Sequence, residues 1–89
     1  MICKNITIIN KLGLHARAAS KLVNCAGQFK SDVLIYKQGN KVNAKSIMGV
    51  MMLAASKGTE IQLEVDGEDE VICMEALSEL ITNRFGEAE

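Results

Sequence analysis

Glu60-Ile61-Gln62-Leu63-Glu64-Val65-Asp66 alternates polar and apolar residues without a break, the period of two that marks a β-strand with one face in the core and one in water. A wet strand face belongs to an antiparallel sheet covered on one side, because helices close both faces of a parallel sheet. Upstream, Val33-Leu34-Ile35-Tyr36 is a short β-prone run, and Gln38-Gly39-Asn40 can turn the chain into a second strand around Lys41 to Ala44, which predicts a hairpin. Ile2 to Ile9 sets Ile2, Ile6 and Ile8 on one side and Asn5 and Thr7 on the other, an imperfect alternation that again favours a strand.

Between these runs the period changes. From Ala16 to Ala26, the residues Ala19, Leu22, Val23 and Ala26 fall at i, i+3, i+4 and i+7, one face of a helix that Gly27 can close. Ser46 to Gly58 is helical in pattern and rich in methionine, with Ile47, Val50, Leu53 and Ala54 toward a core and Met48, Met51 and Met52 on another face. After Asp66-Gly67, the acidic start Glu68-Asp69-Glu70 suits the positive end of a helix dipole and leads into Cys73, Met74, Leu77, Leu80 and Ile81. The order β-α-β-β-α-β-α predicts an α+β fold, an open-faced β-sandwich whose four-stranded antiparallel sheet is covered on one face by three helices.

A chain of 89 residues predicts one domain, 1–89, with a core too thin to enclose a deep substrate cavity. The formal net charge of −1 gives no electrostatic footprint for nucleic acid, and only Phe29, Tyr36 and Phe85 are available to stack on bases. Met1 to Ile9 lacks the basic region, unbroken apolar stretch and cleavage site of a secretory signal, and nothing elsewhere is apolar enough to span a membrane. A cytoplasmic chain without membrane insertion is expected. Cys3, Cys25 and Cys73 are odd in number and far apart, which points away from a disulfide framework or a zinc site; they read as reduced, small core hydrophobes.

This leaves the site. The only histidine lies in Gly13-Leu14-His15-Ala16-Arg17, where a strand and loop hand over to a helix. The first amides of a helix have no partner inside it and point back at the residue before it, an anion-binding position. A phosphoryl group on the His15 imidazole would meet the backbone N–H groups of Ala16 and Arg17, the positive end of the dipole and the Arg17 guanidinium. The same positive surroundings disfavour imidazolium and leave a ring nitrogen free to act as nucleophile. The bland reading of the same residues is that His15 caps the helix and Arg17 is a solvated charge. No paired carboxylates, second histidine, Walker-type loop or metal-ligand cluster accompanies His15 in the sequence, so no metal or cofactor is expected, and a phosphoryl donor would have to be another protein.

GLHAR at Gly13 to Arg17 and KSIMGVM at Lys45 to Met51, together with chain length and element order, make the whole chain resemble the histidine-containing phosphocarrier proteins, the HPr family. The resemblance implies phosphorylation of His15 at Nδ1 by Enzyme I of the phosphoenolpyruvate-dependent phosphotransferase system, and transfer onward to an EIIA-type protein. It implies a relay that turns over only with partners, and not a self-contained enzyme. The family usually has proline after this arginine, where the chain has Ala18. Alanine lacks the preset φ of proline but is an excellent helix former, so the site is expected to survive with a slightly more mobile entry turn.

Ser46 stands where an N-cap belongs, able to accept from the N–H of Met48 or Gly49. The resemblance adds a second role, regulatory phosphorylation by an HPr kinase/phosphorylase, and a phosphate at a helix N-terminus suits the dipole. Ile47, Met48, Met51 and Met52, with Leu14 and Ser20 near His15, are the candidate docking residues for successive partners, methionine being an adaptable contact side chain. A monomer fits a carrier that exposes one surface to several proteins in turn. The alternative is a non-catalytic regulatory protein-binding module in which His15 is only a structural helix cap.

Overall fold

The structure, a computed structural model, describes residues 1–88. Strands β1 (Ile2–Thr7), β2 (Asp32–Lys37), β3 (Asn40–Asn43) and β4 (Glu60–Asp66) form one antiparallel sheet in the order β1-β4-β2-β3. Helices α1 (Ala16–Gly27), α2 (Ile47–Met52) and α3 (Glu70–Thr82) complete the expected β-α-β-β-α-β-α order, and a short 3-10 turn, Arg84–Gly86, follows α3. The alternation of β4 is decisive. Ile61, Leu63 and Val65 are buried, and their cross-strand neighbours continue the same core face: Ile6 opposite Ile61, Ile35 opposite Leu63, Val33 opposite Val65. Gln62 and Glu60 face water on the other side.

The hairpin turns at Gln38 and Gly39, both with positive φ (46° and 86°), the geometry that matches the twist of two adjoining strands. Helix α1 buries Ala18, Ala19, Leu22 and Ala26, with Val23 half-buried at its edge; Gly27 is its last residue and Gln28 its C-cap. Helix α3 buries Cys73, Met74, Leu77, Ser78 and Ile81.

Three expectations are corrected. β1 ends at Thr7, although Ile8 still donates to the Thr59 carbonyl at 2.9 Å and accepts from Gly58 at 2.7 Å, so the pairing outlasts the regular strand. The helical pattern from Ser46 to Gly58 is helix only as far as Met52: Ala54 turns left-handed (φ 52°), and Lys37 Nζ takes the carbonyls of Leu53 and Ala54 at 2.8 and 3.3 Å, replacing the missing next turn. Val50 and Leu53 do enter the core, but Ile47 and Ala54 stay exposed and Ala55 is buried instead. Cys3 is exposed on the uncovered sheet face, whereas Cys73 is buried and Cys25 half-buried; burial pushes the Cys73 thiol up to about 11 and raises Cys25 as well, so both are poor nucleophiles.

One polar anchor fixes the end of the sheet. Asp69, at the start of α3, accepts from the backbone of Lys30 at 2.8 Å and of Ser31 at 2.9 Å, and from the Ser31 hydroxyl. Gly67 lets the chain pass this point, since a Cβ there would lie 2.6 Å from the Ser31 Cα. The Ser31 hydroxyl and the Lys30 amide hold the Asp69 carboxyl below its ordinary range. A carboxyl depressed in the folded chain stabilises it above the unfolded value of about 3.9 and loses that contribution as pH falls through the folded value. Asp69→Asn is therefore expected to lower the thermal midpoint at neutral pH and to leave it unchanged in strong acid, which thermal melts followed by circular dichroism across pH would show.

Candidate functional site

The loop before α1 is bolted to the loop before β4. Leu14 donates to the Ala55 carbonyl at 2.8 Å, and Gly13 (φ 66°) lies so close that a Cβ would sit 2.4 Å from the same oxygen and 2.7 Å from the Ser56 Cα. Only glycine fits that contact and that φ. Below it, the buried Asn10 gives one amide hydrogen to the Gly13 carbonyl at 2.8 Å and the other to Glu87 Oε1 at 2.9 Å.

His15 follows as the N-cap residue of α1, with extended backbone (φ −72°, ψ 177°), and its carbonyl accepts the first helical bond from Ala19 at 2.8 Å. The amides of Ala16, Arg17 and Ala18 precede that bond and are the open donors of the first turn. The imidazole does not cap them. Its Nε2 is hydrogen-bonded to Glu87 Oε2, and the side chain remains 28% exposed. Arg17 is exposed on the first turn, and it shares with Lys11, Lys21, His15 and Glu87 the lining of one open hollow. Ala18, buried in the first turn, continues the helix that begins at Ala16 without the help of a proline.

Glu87 is the residue that sequence reasoning missed: the chain does bring a carboxylate to the histidine, from 72 positions away. Its segment is built for the contact. Arg84 and Phe85 are both left-handed (φ 55° and 54°), a strain of about 1–3 kcal/mol each for non-glycine residues. Burying the Phe85 ring, worth about 1.5–3 kcal/mol, offsets part of that strain, and Lys21 Nζ fixes the Phe85 carbonyl at 2.6 Å. The Asn10 amide and then the His15 ring hold the Glu87 carboxyl below its ordinary range against the opposing effect of burial. No local pattern in the sequence marks this glutamate; the signal is its contact with His15 in three dimensions.

The remaining candidates fall into two groups. Ser46, exposed, caps α2 by accepting from Gly49 N at 3.3 Å, while Ile47, Met48, Met51 and Met52 stay exposed on the same short helix. Ser20 is half-buried on α1, but Leu14 is 5% exposed and belongs to the core, so its side chain offers almost no surface to a partner. Among the described residues, no cluster of three or more histidine, cysteine or acidic side chains could hold a metal, and no helix is long and apolar enough to cross a membrane.

A histidine ring turned away from a helix N-terminus, beside the open amides of the first turn and a group of cationic side chains, defines a protein built to carry an anionic group. Comparison with known proteins makes this specific. Residues 2–83 match the family model described as the PTS HPr component phosphorylation site. The phosphocarrier protein HPr of Neisseria meningitidis serogroup A is 58% identical over all of both chains. The crystal structure of HPr-C-His from Thermoanaerobacter tengcongensis superimposes with a TM-score of 0.97 at 45% identity, covering 100% of each chain. The HPr dimer from the same organism gives 0.79 at 48% identity, over 92% of this chain and 94% of that one. The chain belongs to the HPr family, the phosphocarrier proteins of the phosphotransferase system.

The Gly13 contact is the part of the site least able to absorb change. Gly13→Ala is expected to cost more than about 1 kcal/mol, since the native φ and the neighbouring backbone both exclude a Cβ. Urea unfolding of the variant beside the parent chain measures it.

Proposed function

We propose that His15 accepts a phosphoryl group at Nδ1 from phosphorylated Enzyme I and passes it to an EIIA-type protein, the chain acting as one cytoplasmic domain that is a carrier and not an enzyme. The observation that carries this reading is the position of the His15 ring, half-buried at a helix N-terminus yet bonded to Glu87 and to none of the helix amides. It leaves the amides of Ala16 and Arg17 for the arriving group, with the exposed Arg17 as the cation that meets its charge. It also weighs against the binding-module alternative, in which His15 would be a cap. The apolar side chains of Ile47, Met48, Met51 and Met52 provide the docking surface for donor and acceptor, used in turn by a monomer.

The direct test is incubation with phosphoenolpyruvate, with and without Enzyme I, followed by mass spectrometry for acid-labile phosphate. Label that requires Enzyme I and disappears in His15→Ala is the expected result; no label with a demonstrably active Enzyme I would favour a binding module on the same fold. Arg17→Ala should slow acceptance about tenfold or more through lost charge stabilisation, and an unchanged rate removes Arg17 from the site.

Ser46 is the proposed regulatory position, a substrate for an HPr kinase/phosphorylase. A phosphate there would sit at the positive end of α2 without breaking its fold, and would place negative charge beside the docking side chains. Ser46→Asp should lower the rate at which His15 is phosphorylated, measured in the same assay; equal rates would rule out cross-talk between the two positions.

A further inference from the structure

We propose that Glu87, oriented by Asn10, is a positioning residue that keeps the His15 proton on Nε2 and thereby leaves Nδ1 as the nucleophilic nitrogen. This role rests on the carrier reading given above. A neutral imidazole has one N–H and one lone pair, and an ionised carboxylate can only accept. With Glu87 Oε2 on Nε2, that nitrogen must donate, so the lone pair falls on Nδ1. The assignment is not left to chance rotamers. The second oxygen, Oε1, is fixed by Asn10, whose other amide hydrogen is tied to the Gly13 carbonyl, so the chain of contacts runs from the histidine loop through Asn10 and Glu87 back to the histidine. Glu87 is the more buried of the pair, its side chain 14% exposed against 28% for His15. The left-handed turn at Arg84 and Phe85 and the Lys21 bond to the Phe85 carbonyl hold its backbone in place.

This arrangement lets the group transfer proceed with no proton entering or leaving the ring. As the Nδ1 lone pair forms the nitrogen–phosphorus bond, the bond from phosphorus to the donor breaks and its electron pair goes to the donor. The Nε2 proton stays where it is, and the positive charge that develops on the ring lies against the Glu87 carboxylate. On transfer to the acceptor, the nitrogen–phosphorus pair returns to Nδ1 and the ring is neutral again with the same proton on Nε2. A carboxylate holding an imidazole in one tautomer is the principle used by catalytic triads and by histidines that bind metals.

His15 is the only histidine, so its ring signals in a 15N-labelled sample need no assignment. In mildly alkaline solution the parent chain is expected to show a protonated Nε2 with a resolved, slowly exchanging N–H cross-peak, and an unprotonated Nδ1. Glu87→Ala should lose that cross-peak to exchange with water, keep its backbone amide spectrum, and accept phosphoryl from Enzyme I about tenfold more slowly. Glu87→Gln, whose amide oxygen still accepts, should retain the cross-peak and most of the rate. A parent chain with Nδ1 protonated, or a Glu87→Ala chain that is labelled as fast as the parent, overturns the role of Glu87 while leaving the carrier intact. A parent chain that takes no label from active Enzyme I overturns the carrier reading, and this role with it.

Discussion

The hydrogen bond from the Leu14 amide to the Ala55 carbonyl, with Gly13 pressed against the same oxygen, is the contact from which the rest of the site hangs. It joins the loop that leads into α1 to the loop that leads into β4, and so gives the histidine a fixed floor on the end of the sheet. With α2 ending at Met52, Ala55 lies in the loop before β4, where its carbonyl accepts from Leu14. Lys37 takes over the carbonyls of Leu53 and Ala54 that the shortened helix leaves behind.

On that floor the site combines two opposed electrostatic elements. The first turn of α1, Arg17 and the lysines of the hollow attract an anion, while Glu87 is itself an anion at the far ring nitrogen. They do not cancel, because they act on different edges of the imidazole: the donors serve whatever arrives, and the carboxylate serves the proton already there. Asn10 is the element that makes the second function rigid. Both of its amide hydrogens are used, and its Oδ1 has no partner among the described residues. An unsatisfied buried oxygen costs about 1–3 kcal/mol, an expense that apolar packing at the same position would avoid. That cost is understandable where the side chain holds a functional geometry and not merely a core.

The surface proposed for docking has the reverse character. α2 is anchored by Val50 and by the Ser46 cap, and presents Ile47, Met48, Met51 and Met52 outward. Exposed apolar side chains on so small a chain are costly to solubility, and a role in transient contact gives them a reason. The site and this surface lie on elements that touch, α1 against α2, so a partner covering one reaches the other.

Much of this is legible in the order of the amino acids. The alternation in β4, the helical spacing of Ala19, Leu22 and Ala26, and the Gln38-Gly39 turn are local regularities, and local regularities report which face of each element is buried because side-chain direction follows from backbone geometry alone. His15 and Arg17 are legible for the same reason, as neighbours at a helix start. Ile47 and Ala54 depart from their pattern because the helical period says nothing about where tertiary contacts end a helix. Cys3 departs because the expectation rests on residue type, whereas its place in β1, on the side of Asn5 and Thr7, turns it to the uncovered face. The strand order β1-β4-β2-β3 and the meeting of Glu87 with His15 lie beyond local pattern altogether. Both depend on pairs distant along the chain, whose contact is fixed by how the whole core packs. Residue order alone thus sets the order of the elements, most of their buried faces and the histidine at the start of α1. Which carboxylate holds that histidine is a matter of packing in three dimensions, because no spacing rule links residues that folding alone brings together.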